Sequence, residues 1–487
     1  MPDARSDEPP RPSEDTPPVA PPVTDPAPRP PPPPASAPPM PPAAPPGSGP
    51  PRAAPVDDAD LRPVTATAPT AVRDREPILD LLRGFAIFGI LLVNVEFMRG
   101  ADFYDVLTGR PVPVDGADAV VSFVVGWLVA GKFVSSFSLL FGIGAGFLVA
   151  RAIRDGVPPR RLLARRYTLL LGFGLAHMIL LFPSDVLFVY AVTGFVLLAF
   201  VPVRPKVAVW WSGGILAALT LLSAGFAVLG ALFADDAAAA AAGQDPFTAA
   251  FEAFVDDRRV AAIEAYTGGG LGEVLVARGF EAAIIQSGQL ILLPWFLALF
   301  LLGFALSRTG VVTALGEHRP LLRRTALIGL GLGLPLNLPL AFAGTLGAAA
   351  GGTDAASMGV MDLAAVPAQM IGAPLLAAGY LAAITLLCQR VGTFGPLSAV
   401  GRMALSAYLF QSLAATVVFV GFSRYDAWSA TQALGFVVAT WAVLLVICPL
   451  WLQAFRFGPV EWLWRSWTYR RWQPLRNTTG GQPAASA

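Results

Sequence analysis

Five polar side chains stand where runs of apolar residues make polarity costly. Asp80 and Arg83 belong to Leu79-Asp80-Leu81-Leu82-Arg83-Gly84-Phe85-Ala86, Asn94 follows Arg83 by eleven residues, and His177 precedes Asp185 by eight. An ionisable group at membrane depth costs roughly a few kcal/mol unless it meets a partner or water, so such groups mark candidate sites. Asp80 and Arg83, three apart, share one helix face and can pair. Eleven residues of helix make about three turns, about 16 Å, which puts Asn94 further along the same face. The stripe reads either as ligand contacts at both ends of one helix or as a snorkelling arginine plus an interhelical amide bond.

His177 follows Gly172 and Gly174 and is followed by a short turn with Ser184 and Asp185. Histidine is the natural proton acceptor near neutral pH, and a carboxylate on its other ring nitrogen fixes the tautomer. The spacing lets the two meet across the turn, as a base with its orienting carboxylate or as a satisfied packing pair. His318, between Glu317 and Arg319, reads as solvated surface. Pro335 and Pro339 flank Asn337, which forbids a continuous helix; the freed carbonyls either face a substrate pathway or mark a packing kink. Arg402, Ser406 and Gln411 run along another apolar stretch, so Asn337, Arg402 and Gln411 are the pathway candidates. Gln286, Gln289 and Gln369 add weaker polar positions. Gly142, Gly144 and Gly146 suit close helix contact, not a phosphate loop, because no strand precedes them. Cys388 and Cys448 lie in apolar runs as small core residues, and no Cys/His cluster suggests a metal site.

The elements that must position these residues follow from composition. At 55% hydrophobic and 14% charged over 487 residues, the chain has more apolar surface than a soluble fold can bury. A span needs about 20 apolar residues. About ten such windows occur, near 79–98, 133–150, 163–182, 184–203, 208–233, 284–307, 321–344, 360–388, 396–420 and 432–454. The expected fold is all-α, a polytopic bundle over residues 77–476. Lys132 interrupts an apolar run, so 118–131 reads as an interfacial helix leading into the second span. The 235–283 loop, with its Ala-rich stretch at 237–242, is expected to form short extracytoplasmic helices.

Residues 1–76 are dominated by Pro and Ala and cannot bury enough apolar area to offset ordering, so a disordered, polyproline-like cytoplasmic tail is expected. It is a flexible spacer or a ligand for proline-binding partners. Residues 477–487 are read as disordered too. No secretory signal peptide opens the chain, and the first apolar run should remain as an anchor. Arg151, Arg154, Arg160, Arg161, Arg165 and Arg166 follow the second window and Arg308, Arg319, Arg323 and Arg324 follow the sixth. By the positive-inside rule these loops and both termini are cytoplasmic. Nothing in the pattern suggests nucleic acid.

Several motifs together carry a resemblance: Leu79 to Ala86 with Asn94, Lys132-Phe133-Val134-Ser135-Ser136-Phe137, the set Gly174, His177, Asp185 and Tyr190, Gly401-Arg402-Met403-Ala404-Leu405-Ser406-Ala407-Tyr408, and Gly458-Pro459-Val460-Glu461-Trp462-Leu463-Trp464-Arg465. They resemble the YeiB-like (domain of unknown function 418) family of bacterial membrane proteins over residues from about 75 to 476, its characteristic C-terminal region covering about 284–476. The opening motif is similar to that of a wider group of transmembrane acyltransferases. That similarity implies acyl-CoA as co-substrate, no permanently bound cofactor, and a small-molecule or glycan acceptor on the far side. Arg83, Asp80 and Lys132 would then serve the donor, and His177, Asp185 and Asn94 the chemistry. In the polysaccharide-modifying members a histidine stands eleven residues after the motif arginine; here that place is Asn94, so the base must be His177. A transporter of a small metabolite and a non-catalytic membrane scaffold are the rival expectations.

Overall fold

The computed structural model describes residues 77–233, 246–349 and 360–477, except Gly109, Pro111, Pro113 and Asp115. The proline-rich tail, the Ala-rich stretch at 237–242 and residues 478–487 lie outside the described residues. The α-helices among the described residues begin with α1 (Pro77–Arg99), α2 (Asp102–Leu107), α3 (Gly116–Leu128), α4 (Lys132–Arg154), α5 (Pro159–Leu180), α6 (Val186–Leu197), α7 (Pro205–Leu232), α8 (Pro246–Gly268) and α9 (Leu271–Ile291). They continue with α10 (Leu293–Ser307), α11 (Arg319–Leu336), α12 (Leu338–Ala349), α13 (Val360–Val391), α14 (Gly395–Arg402), α15 (Ala404–Ala415), α16 (Ala430–Ala454) and α17 (Pro459–Tyr469). Proline occupies the first turn of α5, α7, α10, α11, α14 and α17, where its missing N–H has no intrahelical partner to lose.

The protein is all-α: no strand occurs among the described residues. Among the described residues, seven helical segments are long and apolar enough to cross a membrane, or eight when α9 and α10, bent by 56°, count as one broken span. Each of the ten apolar windows holds helix; α5 carries four arginines in its first eight residues, and α6 is short. Residues 116–128 form their own helix, and Gly131, at φ +83°, turns the chain into α4. In place of the expected short helices, the described part of the 235–283 loop forms α8, with 23 residues, and most of α9, with 21, which runs on into the sixth window.

Close backbone contact sets the geometry of the bundle. A Cβ at Gly142 would stand 2.3 Å from the Phe300 carbonyl oxygen and one at Gly303 2.1 Å from that of Leu139, so α4 and α10 interlock through bare backbone. The same holds for α1 and α14, where a Cβ at Gly84 would meet the Leu397 carbonyl oxygen at 2.2 Å. Between these pairs, Phe141, Tyr190 and Phe300 form an aromatic core with centroids 4.8 to 5.4 Å apart.

The chain breaks where Pro335 and Pro339 flank Asn337, and the break is filled. Asn337 is fully buried and its Nδ2 donates to the Gly333 carbonyl at 2.7 Å, while Trp127 Nε1 donates to the Leu334 carbonyl at 2.9 Å. Two of the carbonyls at the kink are thus taken by side chains.

Candidate anion-binding cavity

Between α1, α4, α5, α6, α14, α15 and α17 lies a cavity of about 170 Å³. Arg83, Arg166, Arg402 and Arg465 line it, and Glu461 is the one carboxylate in its wall. Each guanidinium is placed by a different element. Arg83 pairs with Asp80 one turn earlier on α1, Nη1 to Oδ1 2.8 Å. Arg166 lies over the Trp464 ring at 3.5 Å, and Trp464 Nε1 donates to the Arg166 carbonyl at 2.9 Å, pinning α5 to α17. Arg402 ends α14, and its Nε has no hydrogen-bond partner. Arg465 lies over Phe457 at 4.9 Å; burial, with Arg166 and Arg83 nearby, pushes it down to about 10.

Glu461 forms no ion pair with these arginines among the described residues. Its Oε1 accepts from the backbone N–H groups of Leu405 at 2.7 Å and Ser406 at 3.0 Å, and its Oε2 from the Ser406 hydroxyl at 2.5 Å. The carboxylate therefore closes the open N-terminus of α15. Four guanidiniums in a largely apolar chamber, with Asp80 paired to one and Glu461 committed elsewhere, make a site for an anion with several oxygens, such as a phosphate.

The far wall ends at Tyr190 and Tyr408. Behind Tyr408 lies a buried polar group. Its hydroxyl is 3.4 Å from Asp185 Oδ1, and Oδ1 is 2.7 Å from His177 Nδ1. Asp185 Oδ2 accepts from the Phe188 N–H at 2.7 Å as the N-cap of α6. Gly174 leaves room for that cap, since a Cβ there would stand 2.5 Å from Phe188 N and 2.9 Å from Oδ2. Gln286 Nε2 holds the reversal from α9 by donating to the carbonyls of Pro183 at 3.0 Å and Asp185 at 2.9 Å. His177 is 2% exposed, its ring lies 4.9 Å from that of Tyr408, and its Nε2 has no partner. In the tautomer whose Nδ1–H donates to Asp185 Oδ1, the Nε2 lone pair is left to accept a hydrogen bond.

The predicted site residues therefore fall into groups. Arg83 and Arg402 line the cavity, Asp80 pairs with the first, and Gln411 is buried with Nε2 3.4 Å from the carbonyl of Ile87, a lining residue. His177 and Asp185 meet as the spacing allowed, one layer behind the cavity wall. Asn94 lies on α1 beyond the lining residues. Lys132 is wholly buried at the start of α4, its Nζ donating to the Gly126 carbonyl at 2.8 Å, and Asn337 is at the α11 break; neither lines the cavity. Sequence reasoning counted Arg166 and Arg465 only as cations that set the topology and gave Tyr408 and Glu461 no role, although Tyr408, Glu461 and Arg465 lie within the motifs quoted above. No group of three or more metal-ligating side chains occurs among the described residues.

Residues 306–471 match a family model described as a protein of unknown function, DUF418. The chain is 31% identical over 440 residues to the uncharacterized protein YxaH of Bacillus subtilis (strain 168), a match covering 85% of this chain and 100% of that protein. It is 29% identical over 416 residues to the uncharacterized protein YeiB of Escherichia coli (strain K12), covering 83% and 99%. No solved structure matches.

Proposed function

This chain belongs to the DUF418 family of YeiB-like proteins, and on that footing we propose that it is a membrane acyltransferase, taking an acyl group from cytoplasmic acyl-CoA to a hydroxyl or amine acceptor on the far side. The supporting observation is the four-arginine cavity ending at Tyr408, with the His177–Asp185 pair directly behind it. In this reading the arginine-bearing end and both termini face the cytoplasm of a bacterial cell, as the arginine-rich loops favour. Arg83, Arg166, Arg402 and Arg465 hold the donor's phosphates. His177 Nε2 takes the acceptor's proton, Asp185 holds the resulting imidazolium, and the acceptor oxygen or nitrogen attacks the thioester carbonyl. In this reading the Tyr408 hydroxyl turns its one proton from Asp185 Oδ1 to the oxygen on which charge develops. The carbon–sulfur bond then breaks, and the CoA thiolate leaves and takes up a proton. Neither Asn94 nor Lys132 is needed. A transport route through the Asn337 break has less support, because side chains already occupy carbonyls there.

The test is acyl-CoA binding and transfer by purified full-length protein in nanodiscs. Wild type should bind CoA in a salt-dependent manner. Arg402→Gln and Arg465→Gln should each weaken binding about tenfold or more, as loss of a charge-assisted bond implies. His177→Ala should bind CoA like wild type and transfer nothing. Absence of CoA binding, or full transfer by His177→Ala, rejects the proposal.

A further inference from the structure

α17 has a second working face. Its inner side carries Glu461, Trp464 and Arg465 to the cavity, while its outer side borders a separate cleft of about 280 Å³ that shares no lining residue with the first. Three guanidiniums converge there, from Arg165 on α5 and from Arg470 and Arg471 just past α17, beside Leu463, Trp467 and Trp472. No carboxylate lines the cleft, and none of the three arginines forms an ion pair among the described residues. Trp467 is 54% exposed and Trp472 71%.

The arrangement is built, not frayed. Arg470 takes a left-handed conformation, φ +51°, that reverses the chain. Arg471 N–H then donates to the Ser466 carbonyl at 3.0 Å, Trp462 Nε1 donates to the Gln473 carbonyl at 2.7 Å, and Trp472 stacks on Trp462 with centroids 5.2 Å apart. In a protein whose helices cross a membrane, exposed indole rings beside arginines belong at the headgroup level, where one part of the surface is apolar and the other wet. Unpaired guanidiniums at that level fit a phosphodiester, which each can meet with two parallel N–H groups.

We propose that this outer cleft of α17 binds the phosphodiester headgroup of an anionic phospholipid from the surrounding bilayer. The arginines take the phosphate oxygens, and Leu463, Trp467 and Trp472 lie against the glycerol and upper acyl chain. Because α17 also carries Trp464 and Arg465, the bound lipid would brace the wall of the cavity from outside.

The experiment counts lipid retained by full-length protein in native mass spectrometry after incubation with phosphatidylglycerol, phosphatidylcholine or phosphatidylglycerol plus inorganic phosphate. Wild type should retain phosphatidylglycerol in preference to phosphatidylcholine, keep it in the presence of phosphate, and lose the preference in Arg165→Gln/Arg470→Gln/Arg471→Gln. Arg319→Gln/Arg323→Gln/Arg324→Gln, which removes equal charge elsewhere, should leave it unchanged. Equal retention of phosphatidylcholine, displacement by inorganic phosphate, unchanged retention by the cleft variant or equal loss in the control each overturns the proposal. If the cleft variant does not survive extraction, Arg470→Gln/Arg471→Gln, both on the exposed surface, decides by the same readout.

Discussion

Asp185 grips His177 across a chain reversal with one oxygen, at 2.7 Å from Nδ1, and caps α6 at Phe188 with the other, also at 2.7 Å. The two tasks can be separated. Asparagine caps a helix as well as aspartate does, so Asp185→Asn should keep α6 and the melting temperature while removing the charge that fixes the His177 tautomer. Acyl transfer should fall by about 10²- to 10⁴-fold, the usual weight of a positioned base. Asp185→Ala should in addition lose about 1 kcal/mol of stability with the cap. Thermal unfolding in detergent beside turnover measures both.

Gly401 is the contact on which the arginine cavity closes. A Cβ there would stand 1.7 Å from the Asp80 carbonyl oxygen and 2.7 Å from Gly84 N, both backbone atoms that cannot step aside. Gly401→Ala should therefore cost about 1–3 kcal/mol and abolish CoA binding by pushing α14 off α1. Gly172→Ala, where an added Cβ meets nothing within 4 Å, should show neither loss. Melting temperature and monodispersity after extraction distinguish the two.

Glu461 gives a pH dependence with a definite sign. Burial, the largest influence, raises its carboxyl above the ordinary glutamate value despite the bonds from Ser406 and Leu405. The folded protein therefore holds this proton at pH values where the unfolded chain has lost it. Its contribution is full below about pH 4.3 and is lost as pH rises through the raised value. Glu461→Gln should remove that part of the decline, which a comparison of melting temperatures from pH 4 upward detects as a flatter profile.

Asn337 separates a kink from a pathway. Its Oδ1 is buried without a partner while Nδ2 holds the Gly333 carbonyl. Asn337→Ala should lower stability by about 1 kcal/mol, the net worth of one such bond, and leave acyl transfer and its KM at wild-type values. A raised KM with unchanged stability would assign the residue to substrate passage.

Membrane character and the helices were legible because apolar runs of span length announce themselves locally. The Asp80–Arg83 pair was equally legible, since three residues on a helix fix the neighbours. His177 and Asp185 required a reversal that the spacing permitted without enforcing. Asn94 shows where periodicity stops short. It shares a face with Arg83, but the cavity lining on α1 ends at Ile90, and above it Leu91 and Val95 belong to a cluster with Phe419 and Phe436. The remaining site residues depend on which helices become neighbours. Trp464 meets Arg166 across 298 positions and Glu461 meets Ser406 across 55, and no local pattern encodes either meeting.

The placement of α17 has a consequence for how the chain is finished during synthesis. Every candidate membrane-crossing helix among the described residues has been made once Ala454 is in place, yet the segment that brings Arg465, the Trp464 ring and the Glu461 cap is still to come. A polypeptide halted before Pro459 would insert with all of these spans, leave the first turn of α15 uncapped, and lack one side of its arginine chamber. Insertion of these spans and closure of the arginine chamber are thus completed at different moments, the second only by the helix that follows them.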